Sequence, residues 1–287
     1  MNRSVASLRR YLSQQGGSRA WNPTPGVVVV GAGKGGVGTS TVAALLATAA
    51  AQDGRQVLLV DGDEGVGSLH LLLGFADSGP GLGALRSQGM TPEDLIRHVS
   101  GSLWLLPGGG GGVEATLAGA QGERRALLRR VVELYERYDL VVVDGGSHLS
   151  SVLAACLAGA ERLLALTAPD RVAMAATYAL LKVGRERFPS MPMEILVNGG
   201  DGITAEEVFR LMSLAGERFL GLKAAFGGSL PRDADVEALH RQGASLLQLP
   251  PSSPALTAAG ALHSRLASEQ AGTWSDSAPV LPLSSTR

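Results

Sequence analysis

Between a run of valines and an alanine-rich stretch the chain reads Gly33-Lys34-Gly35-Gly36-Val37-Gly38, followed by Thr39, Ser40 and Thr41. Glycines at this density let several consecutive backbone amides turn toward one point, and a helix starting behind them adds the positive end of its dipole. Such a segment can cradle an anion. The spacing meets the G-x-x-x-x-G half of the phosphate-loop pattern, which continues with Lys and then Ser or Thr. Here Thr39 stands where the lysine is required, while Ser40 keeps the hydroxyl that would ligate a magnesium ion on the β and γ phosphates. Half of the cationic grip is absent, and Lys34, one residue into the loop, is the charge available to replace part of it. Carboxylates close two later apolar runs, at Asp61-Gly62-Asp63 and at Asp144. An aspartate after four apolar residues is a weak signal alone.

These residues need elements to hold them. Gly26 to Val30 is a β-branched run suited to a central parallel strand, and Thr39 to Gln52 reads as a helix stopped by Asp53-Gly54. Further strands are expected at Val57 to Val60, Leu103 to Leu106, Leu140 to Val143, Leu163 to Thr167 and Ile195 to Val197, with an Arg-rich helix over Gly122 to Arg137. This alternation predicts an α/β fold, a mostly parallel twisted sheet with helices on both faces. In Ser4 to Gln15, Val5, Leu8 and Leu12 recur at helical spacing with Arg9 and Arg10 off that stripe, which predicts a short basic amphipathic helix. With the linker Gly16 to Pro25 it makes an N-terminal segment, 1–25. The domain is expected over 26–267, and the Ser-rich, Pro-containing 268–287 as a disordered tail.

The sequence around the loop resembles the MinD/ParA family of deviant P-loop ATPases, whose loop reads G-K-G-G-V-G-K-[ST]; everything but the second lysine is present. The likeness extends over about residues 26–267. It implies ATP and Mg²⁺ as cofactors, with phosphates held by Gly33, Lys34, Gly35, Gly36, Val37, Gly38, Thr39, Ser40 and Thr41. In the family the first lysine, matching Lys34, reaches across a nucleotide-sandwich dimer to the partner's phosphates. Asp61-Gly62-Asp63 with Ser68-Leu69-His70-Leu71-Leu72-Leu73-Gly74 resembles the D-x-D segment, which makes Asp63 the residue that orients water and helps hold metal. Tyr138 to Asp144 resembles the Walker B strand and sets Asp144 near the metal, with Ser40.

The next loop departs from the family's D-x-P-x-G, since Gly145-Gly146-Ser147-His148 follows Asp144. Thr167-Ala168-Pro169-Asp170 resembles the T-x-P-E segment, Asn198 matches an asparagine at the adenine edge, and Leu230-Pro231-Arg232-Asp233 matches a segment near the base. The stretch ending at Gly74 and the glycine run after Pro107 favour the branch of MinD and the flagellar-number regulator FlhG. The resemblance thus implies an ATP-binding switch in spatial regulation, working through an ATP-dependent homodimer and a regulatory protein partner. Lys34 and Asp63 would be its catalytic residues, and hydrolysis would be slow or lost because of Thr39.

Composition narrows the alternatives. Lys plus Arg (25) nearly cancels Asp plus Glu (26), so no global field draws the chain to nucleic acid, and no sequence-specific contact with it is expected. No apolar run approaches a membrane-spanning length of about 18 residues, and the N-terminus lacks the core of a secretory signal. A cytoplasmic location is expected, with Val5 to Leu12 as a candidate peripheral contact on the inner face of the membrane. Cys156, the single cysteine, reads as a buried small hydrophobe; the five histidines show no metal-ligand spacing, and Met174, Met191 and Met193 read as packing. Two other readings stand beside the switch. One is a non-enzymatic pseudo-ATPase that docks on partners. The other is a dinucleotide-binding Rossmann oxidoreductase, because Gly31, Gly33 and Gly36 also satisfy G-x-G-x-x-G and Asp61 ends the next strand.

Overall fold

A computed structural model describes residues 23–24, 26–62, 67–87, 89–109, 121–200, 202–221 and 224–271. The expected N-terminal helix, Asp63 and most of the final tail lie outside these residues.

Eight strands form one sheet: β1 (Val27–Ala32), β2 (Val57–Asp61), β3 (Arg97–Ser100), β4 (Leu103–Leu106), β5 (Leu140–Asp144), β6 (Arg162–Thr167), β7 (Met193–Asn198) and β8 (Ala225–Leu230). Their order is β3-β4-β2-β5-β1-β6-β7-β8. Every pairing is parallel except β3 with β4, so the mostly parallel sheet read from the sequence is what the chain forms. The glycine loop leaves β1, which lies in the middle of the order and is buried along its whole length.

Two strands were not expected. β3 is a short, half-exposed edge strand with alternating burial, too polar to register as an apolar run. β8 has the sequence Ala-Phe-Gly-Gly-Ser-Leu, and its register against β7 shifts between Ile195 and Leu196, opposite the paired glycines. Glycines there lower strand propensity and mark the irregularity instead.

Alternation along the central strands divides the core. Val27 and Val29 face a layer made by α3 (Gln121–Tyr135), α4 (Leu149–Leu157), α5 (Arg171–Arg187) and α6 (Gly202–Leu220). Val28 and Val30 face α1 (Thr39–Gln52) and α8 (Pro254–Ala271), with the short α2 (Leu69–Leu72) nearby. A further helix, α7 (Ala234–Gln242), precedes a 3-10 turn at Leu246–Gln248. Helix α8 runs to Ala271, past the boundary expected at residue 267. Cys156 is fully buried in the first layer, and burial pushes its thiol pKa up. Met191 and Met193 are core residues.

At the start of β6 and β7, the end of the sheet opposite the glycine loop, Arg162 and Glu194 are buried as a charged pair at 2.6 Å. Two residues of α8 close the cluster: Glu269 lies 2.6 Å from Arg162, and Arg265 lies 2.5 Å from Glu194 and 2.7 Å from Glu269. Two positive and two negative groups satisfy one another, which is the condition for burying charge at all. The cluster pins the last helix to the sheet. His263, also in α8 and buried, meets Asp53 at the end of α1 at 3.1 Å, a structural role of the kind expected for it.

Candidate nucleotide site

Gly31 and Ala32 are still paired to Ala165 and Leu166 of β6, and α1 begins at Thr39, so residues 33–38 make the entire turn. Its backbone requires glycine twice. Gly36 and Gly38 have φ of 79° and 91°, a region that costs side chains with a Cβ. Gly33 is required for space, because a β-carbon there would fall 2.1 Å from the Ala176 carbonyl oxygen of α5. Around Gly36 nothing lies within 4 Å of such an atom. The crest of the turn is held from behind and open in front, as a cradle for an anion must be.

Asn198, at the end of β7, donates from Nδ2 to the Val37 carbonyl at 2.8 Å. The amide that the resemblance set at the adenine edge therefore braces the loop. Leu230 is the register partner of Asn198, which brings Pro231 to the same end of the sheet. Thr39 is buried at the first position of α1, and Ser40 and Thr41 are half-buried behind it. The Ser40 and Thr41 hydroxyls form no hydrogen bond among the described residues and are open to a ligand.

Lys34 does not point its charge freely at the cradle. Its Nζ lies 3.5 Å from Asp170 Oδ2, both side chains being nearly half exposed. Asp170 is also the N-cap of α5, accepting from the amides of Val172 and Ala173 through Oδ1. The Ala173 amide most of all holds the Asp170 carboxyl below the usual range; burial, next in size, opposes it, and Lys34 with the Val172 amide tips the balance downward.

Asp144 ends β5 in the register position opposite Asp61 of β2, and both are almost completely buried. Asp144 Oδ1 accepts from the Gly146 amide at 2.9 Å, and Asp61 Oδ2 accepts from the Leu69 amide at 3.3 Å. Asp61 was not among the expected site residues. Its signal was the strand-end D-x-D spelling, which drew attention to Asp63 instead. Asp63 lies outside the described residues. Among the described residues no group of three His, Cys, Asp or Glu side chains is arranged to hold a metal by itself. A hard cation here would need the Ser40 hydroxyl and phosphate oxygens beside Asp144, an oxygen set that suits magnesium.

The glycine loop lies between the central strand and a helix, flanked by strand-end carboxylates, and this arrangement has relatives. The family description CobQ/CobB/MinD/ParA nucleotide binding domain matches residues 28–246. The chain belongs to this family. An ATP-binding protein of Methanocaldococcus jannaschii is 31% identical over 145 residues, 50% of this chain and 53% of that protein, so the match spans about half of its length. The antiactivator FleN of Pseudomonas aeruginosa is 25% identical over 238 residues, covering 80% of this chain and 82% of FleN. The septum site-determining protein MinD of Pyrococcus horikoshii, solved with Mg-ADP, superposes with a TM-score of 0.68 over 85% of this chain and 96% of its own, at 22% identity. That last likeness is one of fold. MinD/ParA membership removes the Rossmann alternative, since the loop, the strand order and the matched span agree on one fold.

Proposed function

We propose that this chain is a MinD/ParA-type switch in which binding of ATP with Mg²⁺, more than its turnover, carries the signal. The observation that supports it most is a phosphate turn whose backbone is fully formed while its usual lysine position holds Thr39. The amides of residues 33–41 bind the phosphates, the Ser40 hydroxyl and Asp144 orient the metal, and Asn198 and Pro231 border the base. Magnesium, when bound, would supply charge neutralisation to the phosphates. Thr39 supplies no ammonium to stabilise developing charge, so hydrolysis is slow or absent, with Asp63 as the residue that would orient water.

Dimerisation on ATP, with Lys34 reaching the partner copy, would set the choice of a regulatory protein partner, as in a switch for cell division, flagellar placement or partitioning. The likeness to FleN over most of both chains supports the flagellar branch. Among the described residues no helix is long and apolar enough to cross a membrane. The proposed location is the cytoplasm, with peripheral contact through Val5–Leu12.

A second reading has its own observation. With Lys34 held on Asp170 and Thr39 neutral, the fold could persist as an interaction protein without nucleotide. Titration with a fluorescent ATP analogue and magnesium separates the two: saturation in the micromolar range supports the switch, and no signal supports the pseudo-ATPase. Brisk steady-state phosphate release would refute slow hydrolysis.

A further inference from the structure

Helix α6 packs on the sheet through Ala205, Val208 and Met212, which are buried at helical spacing. Its outward side carries a second apolar stripe, because Leu211 and Leu214 are 47% and 52% exposed. Among the described residues the other large apolar side chains this open are Leu71 and Val172, which stand singly on α2 and α5. A lone exposed leucine is ordinary, whereas two on one stripe mark a contact surface. Charge extends the stripe in both directions. Glu207, Leu211, Leu214 and Arg218 recur at intervals of four, three and four residues, the spacing of a helix-pairing seam. Arg210 and Glu217 lie along its flank, and all six side chains are exposed. Glu207, Arg210 and Glu217 form no ion pair among the described residues. Arg218 already interacts within its own chain, but a guanidinium with five N–H donors can serve a further acceptor.

This stripe is complementary to itself when inverted. Glu207 and Arg218 are equally far from its middle, as are Leu211 and Leu214. An antiparallel copy related by a two-fold axis therefore sets Leu211 on the partner's Leu214 and Glu207 beside the partner's Arg218, and every contact occurs twice. On the flank, Arg210 meets the partner's Glu217. A parallel copy would instead set glutamate on glutamate and arginine on arginine, which opposes association. We propose that the occupant of this face is a second copy of the same chain, docked antiparallel through α6. None of the six residues belongs to the glycine turn, so this association is separate from the ATP-dependent dimer and forms without nucleotide. One helix pair makes a small interface of the size found in transient encounters. The dimer accordingly exchanges with monomer.

Sedimentation velocity of the full chain without nucleotide, at about 1–300 μM, should show a reversible monomer–dimer equilibrium. E207R and R218E should each weaken it about tenfold, since like charges then face each other at both ends of the seam. The double variant E207R/R218E restores both pairs and should associate as wild type does. An equimolar mixture of the two single variants also restores them, and should form a heterodimer although neither variant dimerises well alone. R210E and E217R, alone and mixed, repeat the experiment on the flank without altering Arg218. Melting temperatures should match wild type, because all four substituted side chains are exposed. A wild-type chain that stays monomeric throughout means that something other than a second copy covers the stripe, and overturns the proposal. Single variants that dimerise as strongly as wild type, mixtures that fail to associate, or a dimer that appears only with ATP and magnesium overturn it as well.

Discussion

Replacing Thr39 with lysine puts back the one side chain that the phosphate turn lacks, and the structure sets the size of the effect. Thr39 is the first residue of α1, follows the left-handed Gly38, and is 7% exposed. The loop's own ammonium, on Lys34, is 3.5 Å from Asp170. A hydrogen bond between ammonium and phosphate contributes about 1.5–3 kcal/mol. At so buried a position part of this offsets desolvation of the ammonium, which leaves about 1.5 kcal/mol, or roughly tenfold in affinity. The assay is a titration with a fluorescent ATP analogue and magnesium at fixed ionic strength, comparing wild type, T39K and T39M, with phosphate release followed in parallel. T39M supplies a long side chain without the charge. T39K should bind about tenfold more tightly than either and turn ATP over faster. Equal affinity for T39K and T39M would refute the claim that the missing charge weakens this site.

Three further outcomes are expected. Because asparagine caps a helix as well as aspartate, D170N should leave the melting temperature unchanged while freeing Lys34, and ATP affinity should rise with a steeper dependence on salt; unchanged affinity would show that the pair does not compete with phosphate. R162M leaves the buried Glu194 and the partly exposed Glu269 with Arg265 as their shared partner, so urea unfolding should show a loss of about 3–5 kcal/mol from breaking the buried pair, and the double variant R162M/E194Q should lose less than R162M alone. Asp233 caps α7 and also accepts from the Ser253 hydroxyl and the Ala255 amide at the start of α8. Burial opposes its ionisation, but those hydrogen bonds win and hold its pKa below the ordinary value. A depressed carboxyl stabilises the fold above the unfolded value of about 3.9, and that contribution disappears as pH falls through the lower folded value. D233A should therefore melt lower than wild type near neutrality, with the gap closing below about pH 4; a constant gap would count against the linkage.

The order of elements was legible because the central strands are continuous apolar runs and the loop and α1 carry glycine and alanine in blocks. Leu103–Leu106 coincides with its expected bounds, as does the helix Thr39–Gln52. What escaped the sequence depends on pairing. β3 is a strand because it finds β4, and β8 because β7 offers it an edge; neither has a pattern that insists on it. The same holds at the site. The glycines of the turn are spelled locally, whereas the Lys34–Asp170 pair, the Asn198 brace on Val37 and the approach of Ser147 to Gly35 join residues more than a hundred positions apart. The charged cluster of Arg162, Glu194, Arg265 and Glu269 spans a similar distance, so no local spacing could announce it.

The charges gathered around the turn lead to one more consequence. Asp61 and Asp144 are almost completely buried at neighbouring strand ends, Asp170 lies across the loop, and Lys34 is the ammonium that the loop itself contributes. In a turn with lysine at position 39, a second ammonium would share the neutralisation of the phosphates. With Thr39 that work shifts to the metal, so nucleotide without magnesium meets backbone dipoles and no ammonium at the start of α1. Removing magnesium with EDTA should therefore cost the wild-type chain more affinity than it costs T39K, so that the advantage of T39K, about tenfold with the metal present, grows once the metal is gone. ATP titrations of both proteins, with and without the chelator at matched ionic strength, measure that difference directly. If EDTA weakens both proteins by the same factor, metal and ammonium act independently, and the substitution at Thr39 has not made magnesium the principal counter-charge of the site.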